Sequence, residues 1–118
     1  MGNYSFPKSN RLTGKKKIDR LFGQGKSFVR FPFRVIYQNA EGPVYQAMFA
    51  VPSRQFKNAT DRNRIRRHMR EAFRHEQTPL RSATPLMIAY IYIAKEILPG
   101  KEIREKMAQA IAFLIRQC

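Results

Sequence analysis

At 118 residues the chain is about one typical domain long, and its 43% hydrophobic content, with nine Phe and five Tyr, supplies a core that disordered basic tails lack. The formal charge of +15, from 23 Lys and Arg against 8 Asp and Glu, repels itself in the compact state and so predicts a polyanion partner: duplex DNA, RNA or an anionic membrane surface. The longest apolar run, Pro85 to Ala94, is about half the roughly 20 residues that a spanning helix needs, and the one Cys, Cys118, excludes an internal disulfide or a thiolate metal cluster.

Met1 to Arg11 is polar, carries Pro7 and has no apolar centre, so no secretory signal is expected; with a single Cys this predicts a cytoplasmic protein. Ile18, Leu21 and Phe22 then fall at i, i+3 and i+4, with Thr13 as N-cap and Gly23 and Gly25 behind, predicting a short helix. Phe28 to Tyr37 alternates aromatic and branched with polar residues, and a second such run, Val44 to Val51, follows the turn Asn39 to Pro43. These predict a hairpin. The segment "TDRNRIRRHMREAFRHE" places Ile65, Met69, Ala72 and Phe73 at helical spacing, and Pro79 sets its latest end. "TPLMIAYIYIAK", apolar on both faces, reads as a central strand. After Pro99 and Gly100, Ile103, Met107, Ala110, Ile111, Leu114 and Ile115 form the stripe of a last helix. The order α-β-β-α-β-α gives a single α+β domain over the 118 residues, a two-layer sandwich with helices on one face of a small sheet and the other face partly open.

The chemistry concentrates in the middle helix. At about 100° per residue, Arg66, Arg67, Arg70 and Arg74 fall beside the apolar stripe rather than on it. A guanidinium offers planar forked donors to phosphate oxygens and can stack on bases, and Asn63 adds a side chain for phosphate, sugar or base edge. An ordinary solvated helix face is the alternative. Between Arg62 and Arg74, however, six Arg face only Glu71, and neighbours such as Arg62 with Arg66 and Arg66 with Arg70 repel at i, i+4. A phosphate partner relieves that repulsion.

A second signal is "KSFVRFPFRVIY", where Phe28, Phe31, Phe33 and Tyr37 lie among Lys26, Arg30 and Arg34. Exposed sheet aromatics stack unpaired bases while cations hold the backbone; the same residues also serve as ordinary core, and alternation puts Phe33 and Tyr37 on one face and Arg34 on the other. A hydrolytic centre of the protein's own is not expected. The eight acids are scattered, and His68 and His75, seven apart among arginines, suit a solvated or phosphate-contacting role.

The sequence resembles the protein component of bacterial ribonuclease P over nearly its whole length. "RNRIRRHMREAFR" is similar to the family's Arg-Asn-Arg motif at Arg62, Asn63 and Arg64 and continues its helix through Arg66, Arg67, Arg70, Glu71 and Phe73. "FPKSNRL" resembles its N-terminal signature at Phe6, Arg11 and Leu12, and Phe22, Gly25 and the strand "YIYIAK" fit its spacing. The chain departs from the family at "VPSRQFKNATD", where Ser53 and Arg54 replace a Lys-Lys pair and a Gly is missing, and at Ile18, where an aromatic is common.

The resemblance implies a mixed sheet with a left-handed βαβ crossover and a role in binding two RNAs. The catalytic RNA is expected on Arg62, Asn63, Arg64, Arg66, Arg67, Arg70 and Arg74. The single-stranded 5′ leader of precursor tRNA is expected in a cleft, with Phe22 taken from family position, Phe33 and Tyr37 from the strand pattern, and Arg11 and Lys95 as phosphate contacts. Leader removal would be the work of the RNA subunit and its Mg²⁺, bound mainly by RNA, with no obligate protein partner and no membrane. A ribosomal or other structural RNA-binding protein, and a stand-alone nuclease, are the rival readings.

Overall fold

The computed structural model describes residues 8–40, 42–82 and 84–117; Phe6 of the N-terminal signature and Cys118 lie outside them. In chain order the elements are α1 (Lys15–Gln24), β1 (Lys26–Arg30), β2 (Phe33–Asn39), β3 (Gln46–Ala50), α2 (Ala59–Glu76), β4 (Leu86–Tyr92) and α3 (Gly100–Arg116). Short 3-10 turns at Lys8–Asn10 and Thr78–Ser82 precede α1 and β4.

α1 starts later than its capping pattern predicts. Gly14, at φ +98°, stands at the N-cap in place of Thr13, a conformation that favours glycine. The helix closes at Gly25, whose N–H donates to the Leu21 carbonyl at 2.8 Å. A Cβ at residue 25 would stand 2.5 Å from that oxygen, so the turn into β1 needs the missing side chain.

The run Phe28 to Tyr37 is two strands rather than one. A turn at Phe31-Pro32, a cis peptide bond, folds β2 back antiparallel on β1, pairing Arg30 with Phe33 and Lys26 with Tyr37. Nor do β2 and β3 form the expected hairpin. The sheet order is β1-β2-β4-β3, so β4 separates them, antiparallel to β2 and parallel to β3. Burial explains the insertion: Leu86 to Tyr90 are all buried, and a strand apolar on both faces gains most from the middle of the sheet. The β3-α2-β4 connection is therefore a parallel crossover.

Strand alternation divides the interior in two. Phe33 and Val35 pack with Ile65, Met69 and Phe73 of α2 and Ile103, Met107 and Leu114 of α3 in the larger core. Ile36, Met87 and Ala89 face the other way and pack with Leu21 of α1 and Leu12. α1 thus covers part of the face that the sequence leaves open. Each large apolar side chain buried in these cores contributes roughly 1.5–3 kcal/mol.

Polar groups inside are mostly paired. The Tyr45 hydroxyl donates to Gln77 Oε1 just past α2, and Tyr92 donates to the Glu96 carbonyl at 2.7 Å while accepting from the Leu98 N–H at 3.1 Å. Asn10 Nδ2 donates to the Tyr45 carbonyl at 2.8 Å and the Leu12 N–H to the Ala47 carbonyl at 2.9 Å, stitching the N-terminal segment along β3.

Candidate nucleic-acid interface

α2 is held in place by its apolar stripe. Ile65, Met69, Ala72 and Phe73 are buried, as their spacing predicts, and Asn58 caps the start by accepting the Thr60 N–H at 2.8 Å. Asp61 in the first turn and Arg74 in the last suit the helix dipole. This anchoring fixes where each arginine points.

The seven helix residues expected to bind RNA do not share one environment. Arg64, Arg67 and Arg70 are exposed and make no hydrogen bond or ion pair with another described residue. They are the helix's uncommitted guanidiniums. Arg66 is half-buried and donates to Asn63 Oδ1, which leaves both side chains at the surface with donors to spare. Arg74 forms an ion pair with Glu71, whose carboxyl is held below the usual carboxylate range chiefly by the hydrogen bond from Arg74, against the opposing effect of burial. Arg62 turns inward and donates to the Phe56 and Lys57 carbonyls at 2.7 and 2.9 Å. Its place in the motif is structural as well as electrostatic.

Arg70 meets Arg11 at a shallow depression of about 200 Å³ between α2, β3 and the N-terminal segment. Arg11 therefore extends the basic surface of α2 and lies away from the aromatic candidates.

The leader residues are not gathered as expected. Phe33 is fully buried, edge-on to Tyr90 and Tyr92, so its ring cannot reach a base. Tyr37, four residues on, points to the same side of the sheet and packs on Phe28. Phe22 is 45% exposed on the opposite side. There it lines a groove of about 360 Å³ between α1 and the sheet with Arg34, Ile36, Arg54, Gln55 and Ile91. Register is the physical reason: even-numbered β2 residues face α1 and odd-numbered ones face the helices behind. Arg34 and Arg54, which the site assignment omitted, are the cations of this groove. The alternation of Arg34 with Phe33 was the signal for the first of them. Lys95 is exposed two residues beyond Ile93, a lining residue of the groove, but does not itself line it.

His68 and His75 lie on the other flank of α2, where they line a depression of about 190 Å³ with Glu71, Ala72, Gly100 and Arg104. His75 Nε2 lies 3.3 Å from Glu71 Oε1. Among the described residues no three His, Cys, Asp or Glu side chains form a group that could hold a metal ion, and no helix is long and apolar enough to cross a membrane.

The Ribonuclease P family pattern matches residues 6–114. The Ribonuclease P protein component of Porphyromonas gingivalis is 28% identical over 116 residues, covering 92% of this chain and 85% of its own. That of Chlorobaculum tepidum is 32% identical over 115 residues, covering 83% and 74%. Among solved structures, the Staphylococcus aureus RNase P protein superposes with a TM-score of 0.76 at 22% identity over 91% of this chain and 96% of that one. The Thermotoga maritima RNase P protein gives 0.72 at 23% identity over 92% and 96%. At these identities the structural likeness shows a shared fold.

Proposed function

Because the chain belongs to the ribonuclease P protein family, we propose that it is the protein subunit of that endoribonuclease, docking the catalytic RNA on α2 and guiding the 5′ leader of precursor tRNA through the α1 groove. The observation that carries this reading is the set of exposed arginines Arg64, Arg67 and Arg70 on one helix, none of which pairs with another described residue. Guanidiniums without carboxylate partners offer their forked donors to phosphate, and each phosphate neutralised releases counterions.

The groove supplies a different chemistry. Phe22 presents an exposed ring on which an unpaired base can stack, with Arg34 and Arg54 placed for the backbone phosphates. Both surfaces act by position and charge: they hold RNA helices and leader closer than their phosphates would otherwise allow.

The holoenzyme's Mg²⁺ belongs with the RNA in this reading. The described side chains of the protein do not form a donor set that fits it, and the protein contributes by binding, orienting and neutralising. It would work in the cytoplasm with the catalytic RNA and precursor tRNA as partners and with no obligate protein partner.

Reconstitution tests the proposal. Added to its cognate RNA at low Mg²⁺, the protein should stimulate removal of the leader from precursor tRNA. No stimulation would refute it, and so would robust cleavage by the protein without the RNA. Sedimentation with ribosomal subunits in place of a single RNA would favour a ribosomal role.

A further inference from the structure

On the side of the sheet away from the α1 groove, a second set of cations and aromatics lies along β1 and the end of α3. Lys26, Phe28 and Arg30 project to this side, with Lys26 and Arg30 separated by four residues, roughly 13 Å of extended chain. Phe28 packs on Phe113 of α3 with ring centroids 4.6 Å apart. The Arg30 guanidinium carbon lies 4.1 Å from the centre of the Phe113 ring and that of Arg116 lies 5.6 Å from it.

Two cations thus converge on one ring. Neither forms an ion pair with another described residue, so no carboxylate there offsets their mutual repulsion and only the ring face does. A guanidinium flat on a ring leaves its edge donors and outer face available, which suits a phosphate or a stacked base.

Beside this strip a polar pocket of about 570 Å³ opens at the end of β2, lined by Lys26, Tyr37, Asn39 and the amides of Gln24 and Gln117. Gln38 also borders it. Its Nε2 donates weakly to Gln24 Oε1 at 3.4 Å, and its own Oε1 has no partner among the described residues. Neutral amides both donate and accept, matching the mixed edge of a nucleobase, whereas a bare anion would call for donors alone. Tyr37 supplies a ring at the wall and Lys26 a cation at the rim.

We infer that the β1–α3 edge is a second binding tract for single-stranded RNA, with an unpaired base held in the Tyr37–Gln117 pocket and its backbone on Lys26, Arg30 and Arg116. The tract rests on the reading of the chain as an RNA-binding subunit and goes beyond it: Lys26, Phe28 and Arg30 lie on the far face of the sheet from Phe22 and Arg34, and the pocket, which reaches round the end of β2 to Gln24 and Gln38, shares no lining residue with their groove. The charge favours RNA over a second copy of the chain, which would bring the same cations together.

A photoreactive oligouridylate and the full-length protein test this. Crosslinks are expected on peptides containing Tyr37 or Gln117 as well as on the α1 groove. The double substitution Lys26→Ala with Arg116→Ala, both at exposed positions, should remove the first set and shallow the slope of log affinity against log salt by roughly 1.4, about 0.7 per lost contact. Crosslinks confined to α2 and the α1 groove, with an unchanged slope, overturn the tract. A double variant that instead abolishes a concentration-dependent dimer in sedimentation, with its crosslinks intact, makes the edge a self-association face and overturns it too. If wild-type protein still stimulates leader removal in either case, the subunit reading stands and the tract alone fails.

Discussion

Arg62 and Phe56 are tied by a hydrogen bond of 2.7 Å from guanidinium to carbonyl oxygen, which fastens the first turns of α2 to the loop that enters it. The neighbouring Lys57 carbonyl accepts from the same nitrogen at 2.9 Å. Replacing Arg62 with Ala leaves both carbonyls without this donor and should lower stability by about 1–2 kcal/mol, read as a fall in the midpoint of thermal or urea unfolding. Arg62→Lys should recover only part of the loss, because one ammonium is a poor substitute for a planar fork.

Arg67 and Arg70 should behave in the opposite way. Each is exposed and holds no other described residue in place, so substitution by Ala should leave unfolding within about 0.5 kcal/mol of wild type. Affinity for the catalytic RNA should fall, and the slope of log affinity against log salt should shallow by roughly 0.7 to 0.9 per residue. An unchanged slope removes that residue from the interface.

Glu71 restrains Arg74. Its depressed pKa keeps it ionised at neutral pH, and their pairing weakens only as pH falls through that lowered value, below the usual carboxylate range near about 4.3. Glu71→Gln removes this competitor, so RNA affinity at pH 7 should rise and the salt slope steepen. Titrating RNA into the variant at several salt concentrations measures both effects.

The two phenylalanines assigned together should separate cleanly. Phe33→Ala empties a fully buried site and should destabilise the fold by about 3–5 kcal/mol. Phe22→Ala, at an exposed ring, should leave unfolding nearly unchanged but weaken precursor tRNA binding relative to leaderless tRNA by about 1–3 kcal/mol. Loss of affinity for both RNAs alike would place Phe22 outside the leader path.

Tyr90 offers a test of the core. Its hydroxyl is buried without a hydrogen-bond partner among the described residues, and burial, helped slightly by Tyr45, pushes its pKa far above the ordinary range. Tyr90→Phe should therefore be neutral or stabilising by up to about 1 kcal/mol. The pH dependence has a definite sign. Above about pH 10 the unfolded phenol loses a proton that the folded one keeps, so stability falls as pH rises, and the variant should lose less of it.

The helices were legible because their signals are local. The stripes of α2 and α3 predicted buried Ile65, Met69, Phe73, Ile103 and Met107 from spacing alone. The pairing of strands was not. Phe28 to Tyr37 has strand composition throughout, and only Pro32, which cannot donate to a ladder, marked the break inside it. The two apolar faces of β4 marked it as a central strand, but which strands would flank it depends on burial gained across the whole sheet. The candidate site divides along the same line. The basic helix could be read from its residues, but which of its arginines are committed to the fold depends on Phe56, Lys57, Asn63 and Glu71 in three dimensions.

The two borders of the sheet are unequal. β3 is flanked by the N-terminal segment through the Arg11–Ala47 bridge and the Leu12 N–H, whereas among the described residues β1 pairs only with β2. Growth by strand addition is therefore open in one direction. Two copies joined through β1 would close on a two-fold axis, each presenting a flanked far border, so such an encounter ends in a finite pair and cannot propagate into a fibre.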